Sequence, residues 1–353
     1  MIAETHDLAL LAARKVNIDY EDLPSIVTID EAVEKESFFS TVHKIRDGNI
    51  QAEKEKSDIR IQGSLYTGGQ EHFYMEPQCC LAVPVDNNSL EIYSATQNTA
   101  EGQSYIAGVL GIPASRIFVR SKRLGGGFGG KETKPAIFSS VVALAALKLG
   151  RSIALTLERD IDMSITGQRH AFRFDYDAGC NKDGQFTYLD VKLYSNGGYS
   201  LDLSQAVMDR ALFHVDNCYK WKAVQVIGKV CKTNQASHTA FRGFGAPQSM
   251  LNCETILCRF AEILKVSPET LRHKNLYKDG NITYYGQRIE GFHIASLWEK
   301  LLINANIPER MKAVEEFNRQ NRWCKRGICL LPAKYGVNFT LTTLNQVGLK
   351  SIR

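Results

Sequence analysis

Leu124-Gly125-Gly126-Gly127-Phe128-Gly129-Gly130-Lys131-Glu132-Thr133 is the stretch on which the reading of this chain turns. Five glycines within six residues leave the backbone without side-chain cover. Its N–H groups can then close on an anion that Cβ atoms would hold off. An apolar strand-like run, Arg116 to Arg120, precedes the stretch, and a long apolar helix-like run, Pro135 to Leu149, follows it. A glycine loop between strand and helix is where phosphates or oxyanionic cofactors sit, because the first helical turn presents unpaired N–H donors. The plainer alternative is a loop that only lets two elements pack closely.

Working outward, the loop almost matches a nucleotide-binding P-loop. The pattern G-x-x-x-x-G-K-[ST] is met through Lys131 and fails at Glu132, where a hydroxyl should meet magnesium. A carboxylate there would face phosphates at a Coulombic cost. A nucleoside-triphosphate site is therefore the last-ranked reading.

Composition narrows the class. The 353 residues allow two or three packed units, and 44% hydrophobic with 23% charged residues is an ordinary globular balance. The net charge of +5 comes from basic residues spread along the chain, which argues against a nucleic-acid partner. The nine cysteines show no C-x-x-C pair and no zinc-like spacing, so they read as reduced thiols used as small apolar residues. No run reaches membrane-spanning length and the first residues lack a signal-peptide pattern. A reducing compartment, cytoplasmic or peroxisomal, is expected.

Periodicity predicts mixed elements. Helices are expected over 8–14, 30–35, 99–110, 135–149, 247–264, 294–304 and 308–320. A further helix starts at Ser267-Pro268-Glu269, with Ser as cap and Pro at the first position. Strands are expected at 16–20, 26–29, 59–66, 80–85, 90–94, 116–120, 172–176, 186–194 and 327–331. Turns at Asp86–Ser89 and Asn181–Gly184 make hairpins of two pairs. The polar stretch 42–57 is expected to separate a small opening piece from the rest. The fold class is α+β, mixed sheets with packed helices.

Other segments share the loop's character. Thr239-Ala-Phe-Arg242-Gly-Phe244-Gly245 is a second glycine loop opening a helix, and Ser94-Ala-Thr-Gln97-Asn98-Thr99 sets two amides after a strand. Arg210 lies in a mostly apolar stretch that continues to His214. Singly, each has a structural explanation: snorkelling arginine, capping amide, core phenylalanine.

Together and in this order, with Gly68–Tyr74, Asp216–Tyr219 and Lys274–Tyr277, they resemble the xanthine dehydrogenase family of molybdenum hydroxylases. The resemblance covers the molybdopterin-binding portion, from about residue 10 to 346. It implies a molybdenum-cofactor-binding domain of the xanthine dehydrogenase/aldehyde oxidase type, incomplete at both ends. Residues 1–50 would be the tail of a preceding hammerhead-like domain, 51–290 the first molybdopterin-binding domain, and 291–353 the start of the second.

The cofactor so implied is molybdopterin with molybdenum, held by hydrogen bonds rather than by protein metal ligands. Gln97, Gly127, Phe128 and Arg242 match its binding residues. A purine ring would lie between Phe244 and Phe339, with Leu203 and Thr340 as pocket residues. Glu132 and Arg210 match the catalytic carboxyl and guanidinium, the second stabilising charge that builds on the purine carbonyl. These two favour hydroxylation of hypoxanthine and xanthine over an aldehyde oxidase-like reaction or a non-catalytic remnant.

The resemblance also implies 2Fe-2S clusters, FAD and a general-base glutamate, all in segments outside these 353 residues, and a homodimer in the full-length family. The chain is accordingly expected to be a fragment without turnover alone. The choice of electron acceptor would rest with the flavin domain. Departures from the family pattern are Thr343, Ala246 and Pro77-Gln78.

Overall fold

The computed structural model describes residues 1–86 and 88–336. Its strands divide between two sheets. One has five strands in the spatial order β1 (Phe38–Asp47), β9 (Ala223–Cys231), β8 (Phe186–Asn196), β7 (Phe172–Cys180) and β2 (Ile59–Thr67). All neighbours in it are antiparallel except β8 and β9. The other has four, ordered β5 (Ile117–Arg120), β4 (Ser89–Ser94), β3 (Cys79–Val85) and β6 (Ile153–Thr156), with only β4 and β5 parallel.

Eleven α-helices are described: α1 (His6–Ala13), α2 (Ile29–Glu34), α3 (Ile50–Glu55), α4 (Thr99–Leu110), α5 (Lys134–Leu149), α6 (Arg159–Ile165), α7 (Ser204–Leu212), α8 (Ala246–Leu264), α9 (Pro268–Asn275), α10 (Ile294–Asn304) and α11 (Ile307–Gln320).

Local rules account for most boundaries. Asn98 caps α4 by accepting from the Glu101 N–H, and Gly111 ends it in the left-handed region at φ 65°. Ser267 caps α9 by accepting from the Thr270 N–H, with Pro268 in the first turn. Strand β4 alternates half-buried and buried residues and packs Leu90 and Ile92 into the core of the small sheet. That core is closed by Ile106 of α4 and Val142, Ala143 and Ala146 of α5. The large sheet packs Phe172, Phe174, Leu189, Val191, Leu193 and Val226 against α7 and α8.

The small sheet and its helices are nested between β2 and β7, which are themselves hydrogen-bonded neighbours. The mixed sheets with packed helices are the expected α+β architecture. The helices of 99–110, 247–264 and 294–304, and both hairpins, stand where periodicity puts them.

Four expectations need correction. The polar stretch 42–57 is not an irregular spacer: the end of β1 and all of α3 lie in it, and β1 pairs along β9. Residues 16–20 form no strand; they are exposed and unpaired with any sheet. Residues 26–29 instead lead into α2, which Thr28 caps through a reciprocal bond with Glu31. Residues 327–331 are irregular. Six strands and α-helices were not foreseen: β1, β6, β9, α3, α6 and α7.

Candidate functional site

The first glycine loop leaves β5 and enters α5. Its path needs glycine at 126 and 129, with φ of 92° and 101°, and holds Phe128 at φ 54°. Gln97, just beyond β4, fixes the loop from beneath. Its Oε1 accepts from the backbone N–H groups of Gly129 (2.9 Å) and Lys131 (3.3 Å), and its own N–H donates to the Lys131 carbonyl (2.8 Å). A Cβ at Gly127 would lie 2.4 Å from that Oε1, so the amide fills the space that the missing side chain leaves.

Lys131 is wholly buried. Its Nζ donates to Glu76 Oε2 at 2.9 Å and sits 4.7 Å above the Tyr74 ring. The same carboxylate oxygen accepts from the Gly125 N–H. Burial raises the Glu76 carboxyl, but the Lys131 ammonium and the Gly125 N–H outweigh it and hold the group below the usual carboxylate range. A lysine spent in this way cannot reach a nucleotide phosphate, which removes the P-loop reading.

The second glycine loop runs from Thr239 to Gly245 and opens α8, with Phe244 at φ 52°. The Arg242 N–H donates to the Phe128 carbonyl at 2.9 Å, joining the two loops directly. A Cβ at Gly129 would stand 2.5 Å from the Ala240 carbonyl oxygen. Beneath this junction, Arg169 Nη2 donates to the Arg242 carbonyl (2.9 Å), and its guanidinium lies 4.0 Å over the Phe241 ring.

Asp202 draws the remaining pieces together. Its Oδ1 accepts from the Leu203 N–H (2.7 Å) and the Thr239 hydroxyl (2.6 Å). Its Oδ2 accepts from the Thr133 hydroxyl (2.9 Å) and pairs with Lys134 Nζ (3.1 Å). One carboxylate thus binds the end of the first loop, the start of the second and the entry to α7. No role was read for Asp202 from the sequence. The two threonine hydroxyls that it accepts from are 37 and 69 residues away, so the only local signal was an acidic residue just before a helix.

The expected site residues fall around this junction. Gln97, Gly127, Phe128 and Arg242 are all within it. Glu132 follows in the first loop, and its carboxylate has no hydrogen-bond partner among the described residues. Burial, then the charges of Glu101 and Asp202, push its carboxyl above the usual range. Phe244 is buried in the second loop, and Leu203 directly precedes α7.

Arg210, in the last turn of α7, is 4% exposed. Its Nη1 donates to the Gly336 carbonyl (2.9 Å), and its guanidinium lies 5.0 Å over the Tyr335 ring. Phe339 and Thr340 lie outside the described residues.

Two bare loops, an amide and backbone donors suit an organic group rich in oxygen and sulfur acceptors. Among the described residues, no group of three or more His, Cys, Asp or Glu side chains could hold a metal ion directly. The residues at the junction therefore fit a cofactor that carries its metal on its own ligands. No helix among the described residues is long and apolar enough to cross a membrane.

The chain is 47% identical over 349 residues to the xanthine dehydrogenase/oxidase of Gallus gallus, covering 99% of this chain and 26% of that protein. It is 46% identical over 352 residues to the xanthine dehydrogenase of Oryza sativa subsp. japonica, with the same coverage. The chain thus spans about a quarter of the length of these curated relatives.

Among solved structures, the aldehyde oxidoreductase from Desulfovibrio gigas superposes with a TM-score of 0.82. It is 25% identical and covers 91% of this chain and 36% of its own. The quinoline 2-oxidoreductase of Pseudomonas putida 86 shares the fold with a TM-score of 0.81 at 22% identity, over 90% of this chain and 42% of its own. The molybdopterin cofactor-binding domain family matches residues 31–276, which takes in both glycine loops, Gln97, Asp202 and Arg210. With its loops joined as described, the chain belongs to the molybdopterin cofactor-binding domain family.

Proposed function

We propose that this chain supplies part of the cofactor and substrate site of a molybdenum hydroxylase that acts on purines, taking hypoxanthine to xanthine and xanthine to urate. The observation that carries the reading is the reach of Asp202. It bonds Thr133, next to Glu132, and Leu203, whose helix carries Arg210. An acid without an ion partner and a permanent cation are thereby held to one frame beside the joined loops.

In this reading Gln97, Gly127, Phe128 and Arg242 hold the cofactor through amide and backbone donors. When bound, the molybdenum cofactor supplies the oxygen-transfer and two-electron redox chemistry. The chain's own residues bind and orient the ring. Phe244 offers an aromatic surface for it, with Phe339 as the second, and Leu203 and Thr340 bound the pocket.

Burial and neighbouring acids push the Glu132 carboxyl above the usual range. In this reading it orients the ring by hydrogen bonding. Arg210 offers the permanent positive charge of its guanidinium to the purine carbonyl where negative charge develops. This is stabilisation of the transition state beyond the ground state.

The test exchanges this chain for the matching quarter of the Gallus gallus relative and follows urate formation from xanthine. The exchanged enzyme is expected to turn over xanthine. Arg210→Met within it should lower kcat by roughly a hundredfold or more, the size of effect seen when one donor to a developing oxyanion is removed. Turnover within about threefold of the unsubstituted exchange would overturn the assignment of Arg210.

A further inference from the structure

Arg210 is placed by more than its own helix. Residues 332–336 form a strap with no regular structure, so no backbone ladder holds it. Side chains hold it instead. Asn217 Nδ2 donates to the Pro332 carbonyl at 3.1 Å. Lys334 Nζ donates to both oxygens of Asp216, at 2.5 and 2.7 Å, and Asp216 is wholly buried. The Tyr277 hydroxyl donates to Asp216 Oδ2 at 2.8 Å, and Tyr285 packs its ring 5.2 Å from the ammonium.

Asp216 and Asn217 lie in the turn that follows α7, so the strap is tied to the same segment that carries Arg210. What the strap gives back is contact with Arg210: the Tyr335 ring under its guanidinium and the Gly336 carbonyl on its Nη1. His214 completes the ring of contacts, bonding the Arg210 carbonyl through Nδ1 at 2.7 Å and lying 5.6 Å from Tyr335.

We propose that the Lys334–Asp216 ion pair is a positioning device for Arg210: it pins the 332–336 strap so that Tyr335 and Gly336 hold the guanidinium in one orientation. Lys334 and Asp216 are positioning residues in this scheme, acting through the strap. A buried pair of this kind contributes little net stability over an apolar substitute, so its worth lies in fixing geometry. The guanidinium's planar fork is useful to a reaction only when its direction is set. The catalytic consequence rests on the purine reading above; the placement of Arg210 does not.

The test uses the full chain without cofactor or substrate. Arg210 borders a cavity of about 740 Å³ that Lys334 and Tyr335 also line, so a small dicarbonyl reagent such as phenylglyoxal has a route to it once the strap loosens. Adduct formation is followed by peptide mass spectrometry at Arg210. Arg272 serves as an internal reference: it is a second buried arginine, 2% exposed and held by Glu254 and Glu269.

The paired substitution Lys334→Met with Asp216→Asn removes both charges and leaves neither buried alone. It is expected to speed modification of Arg210 by about tenfold or more while Arg272 keeps its rate. Lys334→Arg keeps the ion pair and should keep Arg210 protected. Equal rates at Arg210 in all three proteins would overturn the proposal. So would a paired variant in which Arg272 accelerates as much as Arg210, because that marks general loosening. In a completed enzyme the paired variant should lower kcat more than it raises KM. Loss of the purine reading shows separately, as absence of xanthine turnover in the completed enzyme without substitutions, and leaves the adduct rates standing.

Discussion

Replacing Asp202 by Asn removes one charge from the centre of the site while leaving its shape. The Asn carbonyl can still accept from the Leu203 N–H and the Thr239 hydroxyl, so one half of the tie survives. The other half does not: an NH2 group would face Lys134 Nζ and the Thr133 hydroxyl. The Asp202 and Lys134 side chains are 10% and 5% exposed, and among the described residues Lys134 then keeps only the Ser237 carbonyl, at 2.8 Å, as an acceptor. Removing one member of a buried pair costs roughly 3–5 kcal/mol, because the survivor is left charged and poorly solvated. The retained contacts put the expected loss near the lower end, about 3 kcal/mol.

The assay is urea unfolding of the purified chain, read as a shift in midpoint at constant slope. In a thermal scan the same loss lowers Tm by roughly 4 °C. Asp202→Asn combined with Lys134→Met is expected to recover most of the loss, since the stranded ammonium is its main source. A single variant that loses less than about 1 kcal/mol would refute the reasoning. A double variant as unstable as the single would do so too.

Two further outcomes follow from the same geometry. Gly129→Ala puts a Cβ 2.5 Å from the Ala240 carbonyl oxygen at a φ of 101°, so it should destabilise the chain by about 2–4 kcal/mol, whereas Gly150→Ala, at a helix end with open space, should cost only about 1 kcal/mol; equal losses in urea would contradict the loop junction. His214 and His238 are both lowered to about 4, chiefly by burial and then by nearby cations, His214 against a raising bond to the Arg210 carbonyl. The unfolded chain therefore binds more protons than the fold below pH 6.5. Stability is fully present above that value and falls as pH drops from 6.5 to 4, by about 3 kcal/mol for each histidine. Unfolding free energies that stay level across that window would show the two rings to be solvated.

Much of the fold was legible because its signals are local. Alternation at Ile59–Tyr66, the turns at Asp86–Ser89 and Asn181–Gly184, and the Ser267-Pro268-Glu269 start each act within a few residues. Helix α7 escaped because it has no solvent face: all nine of its residues are buried, Ser204, Gln205, Asp209 and Arg210 included, so its polar positions do not mark an exposed side. Strand β9 does alternate, but its partners on both sides, β1 and β8, are set by tertiary pairing. Residues 327–331 fail in the opposite sense, an apolar run with no strand beside it.

Of the residues around the loop junction, the glycine loops and Gln97 were singled out by their chemistry, and Glu132 and Arg210 by resemblance. Asp202 and the Lys334–Asp216 pair were not, because each acts across long stretches of chain and no short pattern encodes them.

The nesting of the small sheet has a consequence for engineering and for folding. Thr67, the last residue of β2, pairs with Phe172, the first of β7, so residues 68–171 depart and return at one spot. A two-residue hairpin could bridge that spot and leave the host ladder unbroken. Excised in this way, the host would retain Arg210 and Arg242 and surrender Gln97 and Glu132. The junction of the two glycine loops is therefore a seam between a guest and its host, and neither half of the genetic text can make it by itself.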